Sequence, residues 1–319
     1  MNKKRLIVFD LVKIIMAFLV VNLHVESFVT RSPFSPLYFL GWYAVPLFVT
    51  ITFYFSGKNY LSKSFEWGEF LARLSRFAIP FVFWSIIGFI IHPELITLKY
   101  FFRQVLTGTA VDPPLYYLST IMIVSVLIYL VRKVIIRGYF LLITILLLLV
   151  IETTGLEQAI ASGIPIQIQL ACIRIFEFSK YALLGIGLSV FKERITSYHH
   201  KYIFLLASIF TTFAHNYYLW KFQIGNLSYG GVTQFLAITL VMITIIMYSQ
   251  ISFSDLINKQ INQIGALSLG VYCLHTFFLE RISGSSPHLI LSIWVFTLSL
   301  LVSIIIRNVW AGRLKAVVS

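Results

Sequence analysis

Long apolar runs alternate along the chain with short polar stretches. A helix needs about 20 mostly apolar residues to cross a bilayer. Ten segments approach that requirement: 6–29, 39–56, 77–95, 114–131, 138–153, 170–190, 201–219, 231–249, 264–281 and 288–306. The pattern predicts an all-α polytopic membrane helix bundle of about ten transmembrane helices. The run at 39–56 is the shortest convincing one. No soluble insert, low-complexity tract or internal repeat interrupts the series, so residues 1–319 are expected to form a single transmembrane domain. The start, Met1-Asn-Lys-Lys-Arg5 ahead of an apolar stretch, has the outline of a signal peptide. Asp10 and Lys13 interrupt that stretch, and it runs past Phe28 without a small-residue cleavage site. It is read as a retained first helix.

Composition agrees with this pattern. Hydrophobic residues make up 59% of the chain and charged ones 12%, with a mean hydropathy of +0.88. A soluble domain is nearer half apolar and a quarter charged, so a water-soluble globule, a disordered tail and a collagen-like rod are excluded. The net charge is +13, and its placement explains it. With the N-terminus in the cytoplasm, seventeen Lys and Arg fall in or beside cytoplasmic loops and five outside. That asymmetry predicts both termini inside and removes the need for a nucleic-acid partner. The expected setting is the plasma (inner) membrane, crossed many times. Cys172 and Cys273 sit in apolar runs and suggest neither a disulfide framework nor a metal site. No zinc or phosphate-loop spacing occurs, so no metal is expected.

Ionisable residues inside a membrane are costly and are functional candidates by default. The first helix holds four: Asp10, Lys13, His24 and Glu26. Lys13 and His24 are eleven residues apart, about 20° beyond three full turns and roughly 16 Å along the axis. They therefore share one face. Asp10, three residues before Lys13, is placed to pair with it. His24 suits a general base near neutral pH. Snorkelling charges at the two helix ends would be the purely structural alternative.

The stretch Phe9-Asp-Leu-Val-Lys13 through Asn22-Leu-His24 resembles the opening helix of the acyltransferase-3 family, in which a basic residue, ten intervening residues and a histidine recur. Arg73-Leu-Ser-Arg76, continuing to Pro80 and Trp84, is similar to the family's R-x-x-R before the third helix. Phe178-Ser-Lys-Tyr-Ala-Leu-Leu-Gly185 looks like its sixth-helix pattern. Ser268-Leu-Gly-Val-Tyr272-Cys-Leu-His275 resembles its late S-x-G-x-Y-x-x-H segment. Thr52-Phe53, where Ser-Gly is usual, and Leu115-Tyr116-Tyr117-Leu118, where a Trp-aromatic pair is common, depart from the pattern. The hydrolase-like domain that some relatives carry after the tenth helix is not expected.

The resemblance implies a membrane O-acyltransferase. It would move an acyl group, acetyl above all and succinyl in some relatives, from cytoplasmic acyl-CoA to a hydroxyl of a cell-surface polysaccharide or its lipid-linked precursor. No bound cofactor is implied; acetyl-CoA is a co-substrate. His24 would serve as general base or transient acyl carrier, with Lys13 and Asp10 beside it. Arg73 and Arg76, with Lys13, would hold the phosphates of CoA. Arg174, Glu177, Tyr272 and His275 are candidates for the acceptor path. Arg174 and Glu177 equally suit a buried ion pair. Ser268, Tyr272 and His275 share a helical face and equally suit a polar packing seam. His92, His199, His200, His215 and His288 are read as solvated ends. Trp42, Tyr43, Tyr116, Tyr117, Tyr217, Tyr218 and Trp220 are read as an outer aromatic belt, with a sugar-stacking platform as the alternative. Asn226-Leu-Ser228 is a formal glycosylation sequon. A polysaccharide exporter, or another polytopic transporter without acyl transfer, is the rival reading.

Overall fold

The computed structural model describes residues 6–29, 35–62, 66–109, 113–135, 139–154, 166–222, 231–279 and 287–309. The basic residues Lys3, Lys4, Arg5, Arg31, Lys63, Arg137, Arg281, Arg313 and Lys315, and the sequon at 226–228, lie outside them. The described residues are helical, with no strand among them. The helices are Ile7–Val29 (α1), Pro36–Gly41 (α2), Ala44–Tyr60 (α3), Trp67–Ile91 (α4), Leu98–Thr107 (α5), Tyr116–Ile135 (α6), Tyr139–Thr153 (α7), Ile166–Val190 (α8), Lys192–Ser197 (α9), Lys201–Lys221 (α10), Val232–Met247 (α11), Asp255–Gly265 (α12), Ser268–Leu279 (α13) and His288–Val309 (α14). Helices satisfy their own backbone groups, which is what a hydrocarbon solvent demands.

Each of the ten apolar segments falls on helix, with instructive differences at the edges. Among the described residues, five stretches are long and apolar enough to cross a bilayer: Ile7–Ser27, Pro36–Tyr60, Trp67–Ile91, Tyr116–Val134 and His288–Asn308. Phe140–Thr153, Val232–Met247 and Ser268–Leu279 are apolar but shorter. The stretch Pro36–Tyr60 contains a turn at Trp42–Tyr43 that divides α2 from α3. The segment at 264–281 is not one helix: it breaks at Ala266–Leu267. The Ser268 hydroxyl donates to Gly265 O (3.0 Å) across that break. Helix α4 begins ten residues before the predicted 77, because Phe70 is buried and Glu, Leu, Ala and Arg all favour helix. Exposed Ile79, Val82, Ile86 and Ile90 line one side of α4. In water that stripe would be an unprotected apolar patch; it is the face a lipid-embedded helix presents.

The chain divides into two compact units. Met1–Phe48, Lys192–Leu227 and Leu236–Ser319 form the first; Val49–Phe191 and Ser228–Phe235 form the second. In the first unit α1 is the hub, packed against α2, α12, α13 and α14. Ala17, Val21, Val25, Val271, Leu291 and Val295 make its core. The end of α12 approaches α1 so closely that a Cβ at Gly265 would stand 2.7 Å from Asp10 Cβ and 3.0 Å from Asp10 O.

In the second unit α8 packs against α5, α6 and α7. The stretch Phe178–Gly185 is its buried spine, and a Cβ at Gly185 would overlap the backbone of α3 at Thr50. Lys180, 1% exposed, is ion-paired with Glu152 of α7, whose other oxygen accepts from Gly231 N (2.9 Å). Lys180 therefore does not snorkel to the interface. It meets its counterion inside the protein.

Two stability predictions follow from these contacts. Lys180→Met leaves a buried carboxylate without its cation and is expected to cost about 3–5 kcal/mol. Lys180→Met combined with Glu152→Gln should recover part of that loss, because neither residue is then charged. Thermal unfolding in detergent reads both. Gly265→Ala forces α12 away from α1 and is expected to cost about 1–3 kcal/mol in the same assay.

Candidate active site

Helix α1 places Asp10, Lys13, Asn22, His24 and Glu26 in sequence along the first unit. Near its start, Lys13 Nζ donates to Asp10 Oδ1 (3.1 Å), with the carboxylate buried and the ammonium about a quarter exposed. The predicted i,i+3 pair is formed. Removing either charge would strand the other in a poorly solvating environment.

Fourteen residues beyond Asp10, His24 meets a partner 251 residues away in sequence: His275 Nε2 lies 3.1 Å from His24 Nδ1. The ring centroids are 4.8 Å apart. His275 is fully buried and His24 half-buried. The carbonyls around them decide the tautomers. His275 Nδ1 is 2.7 Å from Tyr272 O, and His24 Nδ1 is 2.9 Å from Val20 O. A carbonyl oxygen only accepts, so each Nδ1 carries a proton and donates it. His275 Nε2 is then an acceptor facing the N–H of His24. His24 Nδ1–H is shared between Val20 O and His275 Nε2, and the basic lone pair of His24 sits on Nε2. Helix α13 builds this arrangement with Ser268, Tyr272 and His275 on one face, all three buried. Tyr272 also packs edge-on against Phe48 at 6.5 Å.

Two residues beyond His24 and about 200° around the helix, the Glu26 carboxylate is 3% exposed yet well hydrogen-bonded. It accepts from Asn22 Nδ2 (2.8 Å), Ser35 N (2.8 Å) and Ser35 Oγ (2.5 Å). Asn22 Oδ1 in turn accepts from Ser292 Oγ of α14 (3.0 Å). This network ties the far end of α1 to the start of α2 and to α14. It holds His24 on a helix that cannot rotate freely.

The remaining candidates distribute as follows. Arg73 is half-buried and Arg76 exposed one turn later, both on α4 of the second unit and not on a loop ahead of it. Arg174 and Glu177 belong to α8 of the same unit. The Arg174 guanidinium lies over the Tyr116 ring, 4.0 Å from its centroid, and Glu177 is buried. Of the expected aromatic belt, Tyr217, Tyr218 and Trp220 are exposed, whereas Tyr43, Tyr116 and Tyr117 are buried. His215 is not simply a solvated end: its Nδ1 meets the Tyr43 hydroxyl. Neighbouring Asn216 donates to Pro36 O (3.0 Å). The His24–His275 contact and the Glu26 network were beyond pattern reading. Their only local signals were a polar residue every few positions on α1 and Ser35 ahead of a helix-starting Pro36. Among the described residues no group of three or more His, Cys, Asp or Glu gathers as a metal site would require.

Comparison with known proteins supplies the family. No curated protein and no solved structure gives a significant match to the chain. A family model described as an acyltransferase domain matches residues 6–307, nearly the whole chain. That match takes in α1 with Lys13 and His24, the arginines of α4 and the α13 segment with His275. The chain belongs to the acyltransferase-3 family of membrane acyltransferases.

Proposed function

We propose that the protein is a membrane O-acyltransferase that takes acetyl from cytoplasmic acetyl-CoA and places it on a hydroxyl of a cell-surface polysaccharide or its lipid-linked precursor. The observation that favours this reading is the His24–His275 pair. A hydroxyl must lose a proton as its oxygen attacks a thioester carbonyl, and a neutral imidazole with its lone pair presented on one nitrogen is suited to take it. In this reading His24 Nε2 accepts the hydroxyl proton. The new C–O bond forms, the C–S bond breaks, and the proton passes to the departing thiolate of CoA. His24 is the catalytic residue.

His275 is a positioning residue. By accepting from His24 Nδ1–H it steadies the tautomer that keeps Nε2 basic, and it spreads the positive charge that develops on the His24 ring. An acyl-imidazole on Nε2 is the covalent form of the same chemistry. Arg73 and Arg76 supply guanidinium groups for the phosphates of the donor, since planar paired donors match phosphate oxygens. Lys13, with Asp10 holding it in place, adds a cation toward the donor's end of α1. Arg174, Glu177 and Tyr272 remain candidates for contact with the acceptor. The membrane assigned to this activity is the plasma membrane, with both termini inside as the basic residues favour.

The test is acyl transfer in proteoliposomes, with labelled acetyl-CoA on the cytoplasmic face and a glycan mixture on the other. Wild type is expected to label the glycan and His24→Ala to abolish labelling while folding normally. Glycan crossing the bilayer without label would instead identify an exporter. His275→Ala is expected to lower kcat at least tenfold, with the KM for acetyl-CoA within about twofold of wild type. His275→Gln should restore part of kcat, because its amide oxygen also accepts a hydrogen bond. Equal losses in the two variants would contradict the positioning role. Arg76→Ala is expected to weaken acetyl-CoA binding without changing kcat at saturation.

A further inference from the structure

At the start of α1 the first unit contains a pocket of about 220 Å³ that neither the His24–His275 pair nor the Asp10–Lys13 pair occupies. Leu6, Ile7 and Ile251 give it aliphatic walls, and Ser249, Gln250 and Asn262 give it a polar edge. The loop between α11 and α12 that forms one side is tied to α12 by the Asn258 side chain. Asn258 accepts from Phe253 N (3.1 Å) and donates to Phe253 O (2.9 Å) and Ser252 Oγ (3.2 Å). Ser249, 2% exposed, keeps a hydroxyl with no hydrogen-bond partner in the protein. Among the described residues, no Lys, Arg, Asp or Glu lines the pocket.

This chemistry selects a class of ligand. Its described lining offers no charged side chain to hold a phosphate by charge-assisted hydrogen bonds. Aliphatic walls favour a flat apolar face, and an edge of amides and a hydroxyl favours donors and acceptors around the rim of that face. Side-chain amides pair two-pronged with the amino and ring-nitrogen edge of adenine. Pockets that enclose a whole small molecule run from about 300 to 1,000 Å³, so this one suits the head of a larger ligand whose remainder continues outside. It also lies at the right end of α1. From Ile7 the helix rises about 9 Å to Lys13 and about 25 Å to His24, which sets the head and the reacting end of a long donor far apart.

We propose that this pocket takes the adenine ring of the acyl donor. The proposal rests on the reading of acyl-CoA as that donor. Its test is binding of the labelled adenosine bisphosphate moiety of CoA, and of its guanosine counterpart, to the purified full chain in detergent. Wild type is expected to prefer the adenosine form. Ser249→Leu, which fills the pocket, and Asn262→Leu, which removes an amide, should each weaken it by roughly ten- to a hundredfold. Gln250→Ala, at an exposed position that tolerates change, should weaken it in the same direction if a buried variant fails to fold. In kinetics the same variants should raise the KM for acetyl-CoA and leave that for acetyl-phosphopantetheine, which lacks the adenosine, unchanged. Wild type that binds acetyl-CoA while folded variants bind the nucleotide equally well overturns the pocket assignment alone, as does equal affinity for the two nucleosides. Wild type that binds neither acetyl-CoA nor the nucleotide overturns the donor reading, and the pocket assignment with it.

Discussion

The first unit is organised by one constraint: α1 must carry two acids, a lysine and an imidazole through a membrane-length helix. A charge or an unsatisfied polar atom in hydrocarbon costs several kcal/mol, so every such group has to find its partner within the protein. Asp10 and Lys13 meet each other, Glu26 is met by Asn22 and Ser35, and His24 is met by Val20 O and His275. These partners come from α1 itself, from the residue capping α2, and from α13. The polar residues of α1 therefore decide which neighbours it has and in what rotation. The apolar cluster of Val21, Val25, Val271 and Val295 fills the remaining faces.

The second unit meets the same constraint with fewer residues. Lys180 and Glu152 bridge α8 to α7, and Glu152 also receives the backbone of Gly231. Arg174 shields its charge over the Tyr116 ring. A buried ion pair of this kind is weak evidence for stability, since a matched apolar pair often does as well. Its more definite consequence is register. Helix α8 can pack against α7 only where the ammonium reaches the carboxylate, and that places the Phe178–Gly185 spine against its neighbours.

Much of the helical content was legible because hydrocarbon enforces it. Long apolar runs leave no alternative to helix, and the described parts of all ten predicted segments are mainly helical, two of them divided by a turn. Boundaries failed where charge interrupts hydropathy. Arg73 and Arg76 dilute the apolar signal, so the first ten residues of α4 read as loop, although Phe70 buries one side and the Glu, Leu, Ala and Arg around it outweigh the single Gly68. The break at Ala266–Leu267 was hidden for the opposite reason. The run 264–281 is mostly apolar up to Leu279, with Ser268, His275 and Thr276 as scattered exceptions, and the break falls beside Gly265, which abuts Asp10, a residue 255 positions earlier. The Asp10–Lys13 pair was readable from spacing, being local. The tautomer of His24 was not, because it depends on two carbonyls and on a ring from another helix.

That dependence bears on what the histidine pair can do. An isolated neutral imidazole interconverts its tautomers and rotates, so its lone pair is directed only part of the time. Here two backbone carbonyls, each inside a helix and each unable to donate, assign the proton on both rings. The assignment needs no charged residue. A carboxylate in the place of His275 would orient His24 as well, but it would add a full negative charge to a site already short of solvation, and the helices would have to supply a counterion. A second imidazole orients through the same hydrogen bond while remaining neutral in the resting state. It acquires partial positive charge only while His24 holds a proton. In a water-poor interior, where an unpaired charge is the most expensive feature a fold can contain, an orienting group that becomes charged only during the reaction avoids that cost for the rest of the cycle.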